Sequence, residues 1–199
     1  MRVAILAANV HGYRAAIDAR AAGEIIAAMS ASPGVFVRCS SEMPFFPGAQ
    51  AAIDYIRSGA LGEILEVRSS FLHSSDLDRG KAINWKRQAA ACGEAGVMND
   101  LGLHAWHVPL RLGWTPRRLT AVLQNVVETR PTPDGGTAVC DTWDNAVVHA
   151  MCTQSDGHDF PLTVETKRIA PGHKNSWELE AIGMNGAVRF STKYPKTLE

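Results

Sequence analysis

The stretch that settles the fold class is SWELEAIGMNGAVRFS, residues 176–191. Residues 176–183 and 186–191 are both β-rich, and Asn185-Gly186 stands between them. Asn-Gly between two such runs is a strong signal for a two-residue hairpin turn. The segment therefore predicts a pair of antiparallel strands.

The rest of the second half of the chain extends this pattern. Turn signals such as Asp156-Gly157 and Pro171-Gly172 separate further β-rich segments, and upstream of them the chain offers two helices and a long strand. Successive strands joined by short turns predict a largely antiparallel sheet. Pro109, late in the second helix, should kink or shorten it. The predicted elements are a helix over 49–58, a strand over 64–71, a helix over 96–113, and strands over 118–128, 142–152 and 160–169.

The first part of the chain has a different character. Residues 3–8, VAILAA, form a continuous apolar run of strand length, as expected for a strand covered on both faces. Helical segments over 9–23 and 24–29 and a short strand over 35–37 follow. This order indicates an α/β layer. The sequence therefore divides into an α/β portion over 1–42 and an α+β domain over 43–199.

Composition excludes several classes of protein. The 199 residues include 20 Lys and Arg and 20 Asp and Glu, so the formal net charge is zero, without the basic excess of a nucleic-acid binder. The longest apolar runs are too short to span a bilayer. None of the 4 cysteines forms a C-x-x-C pair. With 46% hydrophobic residues the chain needs no disulfides, so we expect reduced thiols and a cytoplasmic protein.

The most informative chemical motif is on the predicted helix over 96–113. Asp100, His104 and His107 recur at four- and three-residue spacing, which places them on one helical face. A carboxylate beside an imidazole fixes its tautomer and favours its charged form, which suits general acid–base chemistry near neutral pH. Two other interpretations remain open at this point: a hydrogen-bonded surface pair, and a metal site that lacks an evident further ligand.

Two polar segments could line a pocket near that helix. Lys86, in the loop over 83–87, could bind an anion or a sugar hydroxyl, or could be a solvated loop lysine. His73 and Asp76 lie at the end of the long strand, where short polar groups either line a pocket or form a turn.

Several stretches together resemble one family, the Gfo/Idh/MocA oxidoreductases. The segment Gly96 to His104, GVMNDLGLH, preceded by Asn84-Trp85-Lys86, resembles the family's W…GG-x-x-x-D-x-G-x-H segment. The resemblance covers about residues 35–195. The other matching stretches are FPGAQ (46–50), IRSGALGEI (56–64), DTWDNA (141–146) and GMNGAV (183–188).

The resemblance implies a fold and an activity. It implies an α/β remnant of a Rossmann domain followed by an α+β domain with a largely antiparallel open sheet. The activity would be hydride transfer between NAD or NADP and a sugar, polyol or related hydroxyl compound. We also expect a homodimer or homotetramer, and no metal, nucleic-acid or membrane partner. His104 and Asp100 would be the catalytic pair. Lys86, Trp85 and His107 would bind substrate. Asn9 and His11 would lie near the nicotinamide, because they follow the strand predicted over 3–8, at the sheet crevice.

The sequence also departs from the family pattern. It contains no G-x-G-x-x-G phosphate loop and no Glu-Lys-Pro motif, whose lysine assists proton transfer in the family. Glu42-Met43-Pro44 mimics that motif, but Met cannot transfer a proton, and its context fits a segment beyond the motif better. We therefore expect that Rossmann segments are missing, which a Cα separation far above 3.8 Å across Ala7-Ala8 or Gly23-Glu24 would support. Two alternatives are a sheet-mediated dimerisation or binding module with a large apolar sheet face, and a metal hydrolase using Asp100, His104 and His107.

Overall fold

The computed structural model describes residues 41–199, in which helices cover one face of a six-stranded sheet. The predictions for residues 1–40 lie outside the described residues, and these include the roles of Asn9 and His11 and the continuity of the chain at Ala7-Ala8 and Gly23-Glu24. The domain boundary at 42/43 likewise stays a prediction.

The helices and strands follow the predicted order closely. The helices are α1 (Pro47–Arg57), α2 (Ala89–Cys92) and α3 (Val97–Arg111), with short 3-10 turns over Met43–Phe45 and Trp85–Arg87. Pro109 lies in the last turn of α3, which ends two residues later. The strands are β1 (Ile64–Leu72), β2 (Pro116–Gln124), β3 (Thr129–Pro131), β4 (Thr137–Val139), β5 (Asn145–Thr153), β6 (Asp159–Lys167), β7 (Ser176–Gly183) and β8 (Gly186–Ser191).

The sheet is mostly antiparallel, as predicted, with one parallel pair. Its strand order is β2-β5-β6-β1-β7-β8, and β7 and β8 pair through the predicted Asn185-Gly186 turn. The exception is β1, which pairs with β6 in parallel. Strands β3 and β4 form a separate two-stranded hairpin that the sequence did not predict. The parallel pair matters for the site because the carboxyl ends of β1 and β6 lie at the same edge of the sheet.

The core lies between the sheet and the helices α1 and α3. Alternating side chains of the strands point to this side, because successive residues of a strand face opposite ways. Ser69 of β1 donates a hydrogen bond of 2.7 Å from Oγ to the carbonyl of Ala105 in α3, which fixes the helix on this face. The largest fully buried apolar side chains include Trp177, Phe160, Phe190, Leu162 and Leu179.

The opposite face of the sheet is mainly polar. Arg68 at its centre pairs with Glu66 at 2.9 Å and with Glu180 at 3.0 Å, and all three side chains are partly exposed. The strand registers place His149, Thr163, Glu178 and Arg189 on the same face. The large apolar face expected of a sheet-mediated binding module is therefore replaced here by a charged one.

Two further sequence expectations can be compared with the described residues. Cys92, Cys140 and Cys152 are buried free thiols, and burial raises the pKa of Cys152 to about 11. Within residues 41–199, no helix combines the length and the apolar character that crossing a membrane requires.

Candidate functional site

The carboxylate of Asp100, in the first turn of α3, is held by two cations. Lys86 Nζ lies 2.9 Å and Arg168 Nη2 3.3 Å from Asp100 Oδ2. The Asp100 side chain is 6% exposed and that of Arg168 is 2% exposed, whereas Lys86 keeps 32%. The carboxylate is thus engaged by these two cations rather than by His104. This corrects the direct pairing expected from the four-residue spacing, because the spacing cannot show which cations other segments bring to the helix.

Arg168 is a site residue that the sequence analysis missed. It follows β6 directly and continues the alternating buried row of Leu162, Val164 and Thr166. Its guanidinium also donates to the carbonyl of Lys86 at 2.9 Å. The sequence did contain a signal for it: Arg168 is a charged residue at a position that alternates with the apolar, inward-facing residues of a strand. Such a side chain must find partners in the interior.

Gly96 allows α3 to begin close to Trp143, in the segment that leads into β5. Its φ of 52° lies in the left-handed region, and a Cβ there would lie 2.6 Å from the backbone nitrogen of Trp143. The next residue, Val97, donates from its backbone to the Trp143 carbonyl at 3.0 Å. The Gly96 carbonyl accepts from Arg168 Nη2 at 3.3 Å. Glycine at this position therefore sets where Asp100 and His104 lie.

His104 occupies a half-buried position one turn along α3. Its Nδ1 lies 3.1 Å from Ser41 Oγ, and its ring packs edge-on against Phe71 with 5.2 Å between centroids. Burial lowers the pKa of His104 and the Lys86 charge adds to this, against the opposing effects of Glu42 and Asp100. The imidazole is therefore neutral at pH 7, which corrects the expectation that Asp100 keeps it charged.

Lys86 and Trp85 lie together in the 3-10 turn that faces α3. The Asn84 side chain caps this turn by accepting from the Lys86 backbone at 3.0 Å. The Lys86 ammonium lies 5.3 Å from the centroid of the Trp85 ring, within the range of a cation–π contact. Trp85 also borders an open groove of about 620 Å³, whose lining does not include Lys86, Asp100 or Arg168. The groove is further lined by Ile83, Asn84, Gln88, Thr132, Pro133 and Asp134.

Arg87 anchors this turn from the inside. Its guanidinium, which is fully buried, pairs with Asp76 at 2.9 Å and with Asp144. Arg130 donates to the Asp76 carbonyl at 2.7 Å. Burial acts to raise the pKa of Asp76, but Lys81 and Arg87 lower it more strongly, so the net shift is downward. Adjacent residues of the turn thus point in different directions: Arg87 reaches the buried acids, and Lys86 reaches Asp100.

The remaining predicted residues are placed as follows. His107 is half-buried on α3, one turn beyond His104, and its substrate contact stays a prediction. Within residues 41–199, no three His, Cys, Asp or Glu side chains converge as a metal site would require. The metal-hydrolase alternative therefore finds no ligand set in this part of the chain.

Two half-buried histidines, His73 and His104, predict a pH dependence of stability. Burial lowers the pKa values of His73 and His104, so the unfolded chain binds protons more readily than the folded one as pH falls below about 6.5. The free energy of unfolding should therefore decrease from pH 7 to pH 5. Urea denaturation of the full-length protein at both values measures this. The double variant His73→Gln, His104→Gln should show a smaller decrease, and an equal decrease would contradict the assignment.

The comparison with family models identifies this domain. Residues 49–189 match the model described as the GFO/IDH/MocA C-terminal domain, which is well over half of the chain. A levoglucosan dehydrogenase of Pseudarthrobacter phenanthrenivorans is 25% identical over 154 residues. That alignment covers 73% of this chain and 39% of the relative, so the chain spans about two-fifths of the curated relative's length.

Solved structures show the same fold. An NAD binding oxidoreductase from Klebsiella pneumoniae superposes with a TM-score of 0.76 at 24% identity, covering 92% of this chain and 47% of the other. Levoglucosan dehydrogenase in complex with NADH superposes with a TM-score of 0.70 at 23% identity, covering 88% and 46%. Its complex with NADH and L-sorbose gives 0.68 at 24% identity, covering 78% and 40%. The family match and the shared fold together show that this chain belongs to the GFO/IDH/MocA family, whose C-terminal domain it contains.

Proposed function

We propose that the chain supplies the substrate side of an NAD(P)-dependent dehydrogenase that acts on a sugar, polyol or related hydroxyl compound. The observation that supports this most directly is the neutral, half-buried imidazole of His104 beside the Lys86–Asp100–Arg168 cluster. The relatives are named as NAD-binding oxidoreductases, and one was solved with NADH and a sugar.

His104 would take the proton of the substrate hydroxyl during oxidation and return it during reduction. When its Nδ1–H donates to Ser41 Oγ, the lone pair of Nε2 is left to accept a proton. Nε2 makes no hydrogen bond to another described residue. A neutral imidazole with a free acceptor nitrogen is the form that a general base requires.

The neighbouring cluster would stabilise charge on the substrate oxygen. Lys86 and Arg168 carry two positive charges against the single negative charge of Asp100, so the cluster has an excess positive charge. Fixed positive charge close to a developing alkoxide lowers the energy of the transition state. Asp100 in this arrangement positions Lys86, which retains partial exposure and can reach a bound substrate.

A nicotinamide cofactor, when bound, would exchange hydride with the substrate carbon. Oxidation of an alcohol removes a hydride from its carbon and a proton from its hydroxyl. The described residues fit that chemistry because His104 offers an acceptor for the proton. Asn9 and His11 would lie near the nicotinamide, because they follow the predicted strand over 3–8 and the end of such a strand opens into the sheet crevice. Self-association of the whole protein as a homodimer or homotetramer is part of the same proposal.

The first test is coenzyme binding to the full-length protein. Titration with NADH and with NADPH, followed by nucleotide fluorescence, should give a saturable signal with at least one of them. A panel of sugars and polyols that includes levoglucosan and L-sorbose should then contain a compound that is oxidised with the matching oxidised coenzyme. Metal analysis of the same sample is the control for the hydrolase alternative.

Each outcome of this test discriminates among the functions. Saturable binding with turnover supports the dehydrogenase. The absence of a signal with both nucleotides would contradict it and favour a non-catalytic binding module. Stoichiometric zinc without nucleotide binding would favour a hydrolase instead.

A further inference from the structure

His73 extends the inner face of β1 toward the site. Val67, Ser69 and Phe71 alternate on the side of the sheet that faces α3, and His73 is the next residue of that row. Its backbone continues the ladder, since its N–H donates to the Lys167 carbonyl at 2.7 Å. Its own carbonyl accepts from Ala170 at 2.8 Å. The imidazole is therefore fixed at the edge of the sheet from which Arg168 also departs.

The rings of His73 and His104 pack against the same phenylalanine. The His73 centroid lies 4.8 Å and the His104 centroid 5.2 Å from that of Phe71, and both contacts are edge-on. Two imidazoles, one from the sheet and one from the helix, thus flank a single apolar ring. Burial lowers the pKa of His73, and Lys86 and His104 act in the same direction. His73 is therefore neutral at pH 7 and can donate or accept a hydrogen bond.

One nitrogen of His73 lacks a partner within the described residues. Nε2 is buried and makes no hydrogen bond there, although the residue as a whole remains partly exposed. A buried polar atom without a partner is unfavourable in a folded protein, so such an atom calls for a partner such as a bound water, ion or ligand. The mechanism proposed above does not use this nitrogen.

We propose that His73 is a substrate-binding residue whose Nε2 hydrogen-bonds a hydroxyl of a polyhydroxylated substrate, next to the hydroxyl served by His104. This inference rests on the proposed function. A substrate with at least two neighbouring hydroxyl groups would engage both imidazoles at once. A simple monohydric alcohol would leave Nε2 of His73 unpaired and bind more weakly.

The test compares three replacements of His73 in the full-length protein. In His73→Gln the side-chain amide nitrogen can reach the place of Nε2, whereas His73→Asn is too short and His73→Leu has no polar group. With the best substrate of the sugar panel, the Asn and Leu variants should raise KM about tenfold or more, the value of one hydrogen bond. Their kcat and their affinity for the coenzyme should stay within about threefold of the wild type, as should all constants of His73→Gln.

Stability and a remote histidine provide the controls. His73→Leu should keep or raise the melting temperature, because it removes an unpaired buried nitrogen. His149→Asn, on the opposite face of the sheet, should leave KM unchanged. If the wild type turns over substrate but KM is unchanged in all three His73 variants, the inference about His73 is overturned and the proposed dehydrogenase function is upheld. A wild type that binds coenzyme but oxidises no polyhydroxylated compound would overturn the inference, and one without coenzyme binding would overturn the proposed function.

Discussion

Replacing His104 with Gln should lower kcat for alcohol oxidation by about 10²–10⁴-fold, the usual contribution of a general acid or base. Gln places an amide near the position of Nε2 but cannot accept a proton at neutral pH. The proton of the substrate hydroxyl must then go to water while the hydride leaves. Steady-state kinetics of the full-length protein measure this loss, and nucleotide fluorescence should show coenzyme binding within about threefold of the wild type.

The pH profile separates this role from a structural one. Oxidation requires the neutral imidazole, and burial lowers the pKa of His104. Activity of the wild type should therefore be retained at pH 7 and lost as pH falls below 6.5, and His104→Gln should no longer show that acid limb. A matched control is His158→Gln, a partly exposed residue paired with Glu63 at 3.3 Å. A His104→Gln enzyme with kcat within about tenfold of wild type would refute the assignment.

Replacing Asp144 with Ala should destabilise the domain by about 3–5 kcal/mol, the cost of breaking a buried ion pair by removing one partner. Asp144 is fully buried and pairs with Arg87, whose side chain is equally inaccessible. Its Oδ2 also accepts from the backbones of Val126 at 2.7 Å and Val127 at 2.9 Å. The substitution therefore leaves a buried guanidinium with one acid fewer and two backbone donors unpaired.

Urea denaturation followed by tryptophan fluorescence measures this loss, because Trp114 and Trp177 are buried in the same domain. Glu180→Ala is the control. It removes an ion pair with Arg68 at 3.0 Å whose side chains are 31% and 56% exposed, so it should cost less than about 1 kcal/mol. Equal stabilities of the two variants would show that the Asp144 network does not hold the fold.

The Asp144 network also links stability to the site. Arg87 and Lys86 are adjacent in one short turn, and the Lys86 carbonyl accepts from both Thr142 Oγ1 at 2.8 Å and Arg168 Nη1 at 2.9 Å. The backbone of that turn is thus held on both sides. Burying ionic groups costs desolvation free energy, so such a network adds little net stability. Here the network also holds the turn that carries Lys86, the residue that pairs with Asp100.

Local sequence patterns predicted most elements correctly. The Asn185-Gly186 hairpin, α3 and the strand over 64–71 lie within about two residues of their expected bounds, as hydrophobic periodicity usually allows. The β3–β4 hairpin was not predicted, since each of its strands has three residues and no periodicity to detect. The parallel pairing of β1 with β6 was not predicted either, because these strands lie far apart in the chain.

The sequence by itself determined an α+β domain with an antiparallel sheet, and it placed Asp100 and His104 on one helix, because both patterns depend only on neighbouring residues. Only the tertiary structure decided which groups those two side chains meet. Long-range packing brings Lys86 and Arg168 to Asp100, Ser41 to His104, and the rings of His73 and His104 to the same Phe71. The physical reason is that charge pairing and burial act through space, and the parallel β1–β6 contact joins segments that no local pattern connects.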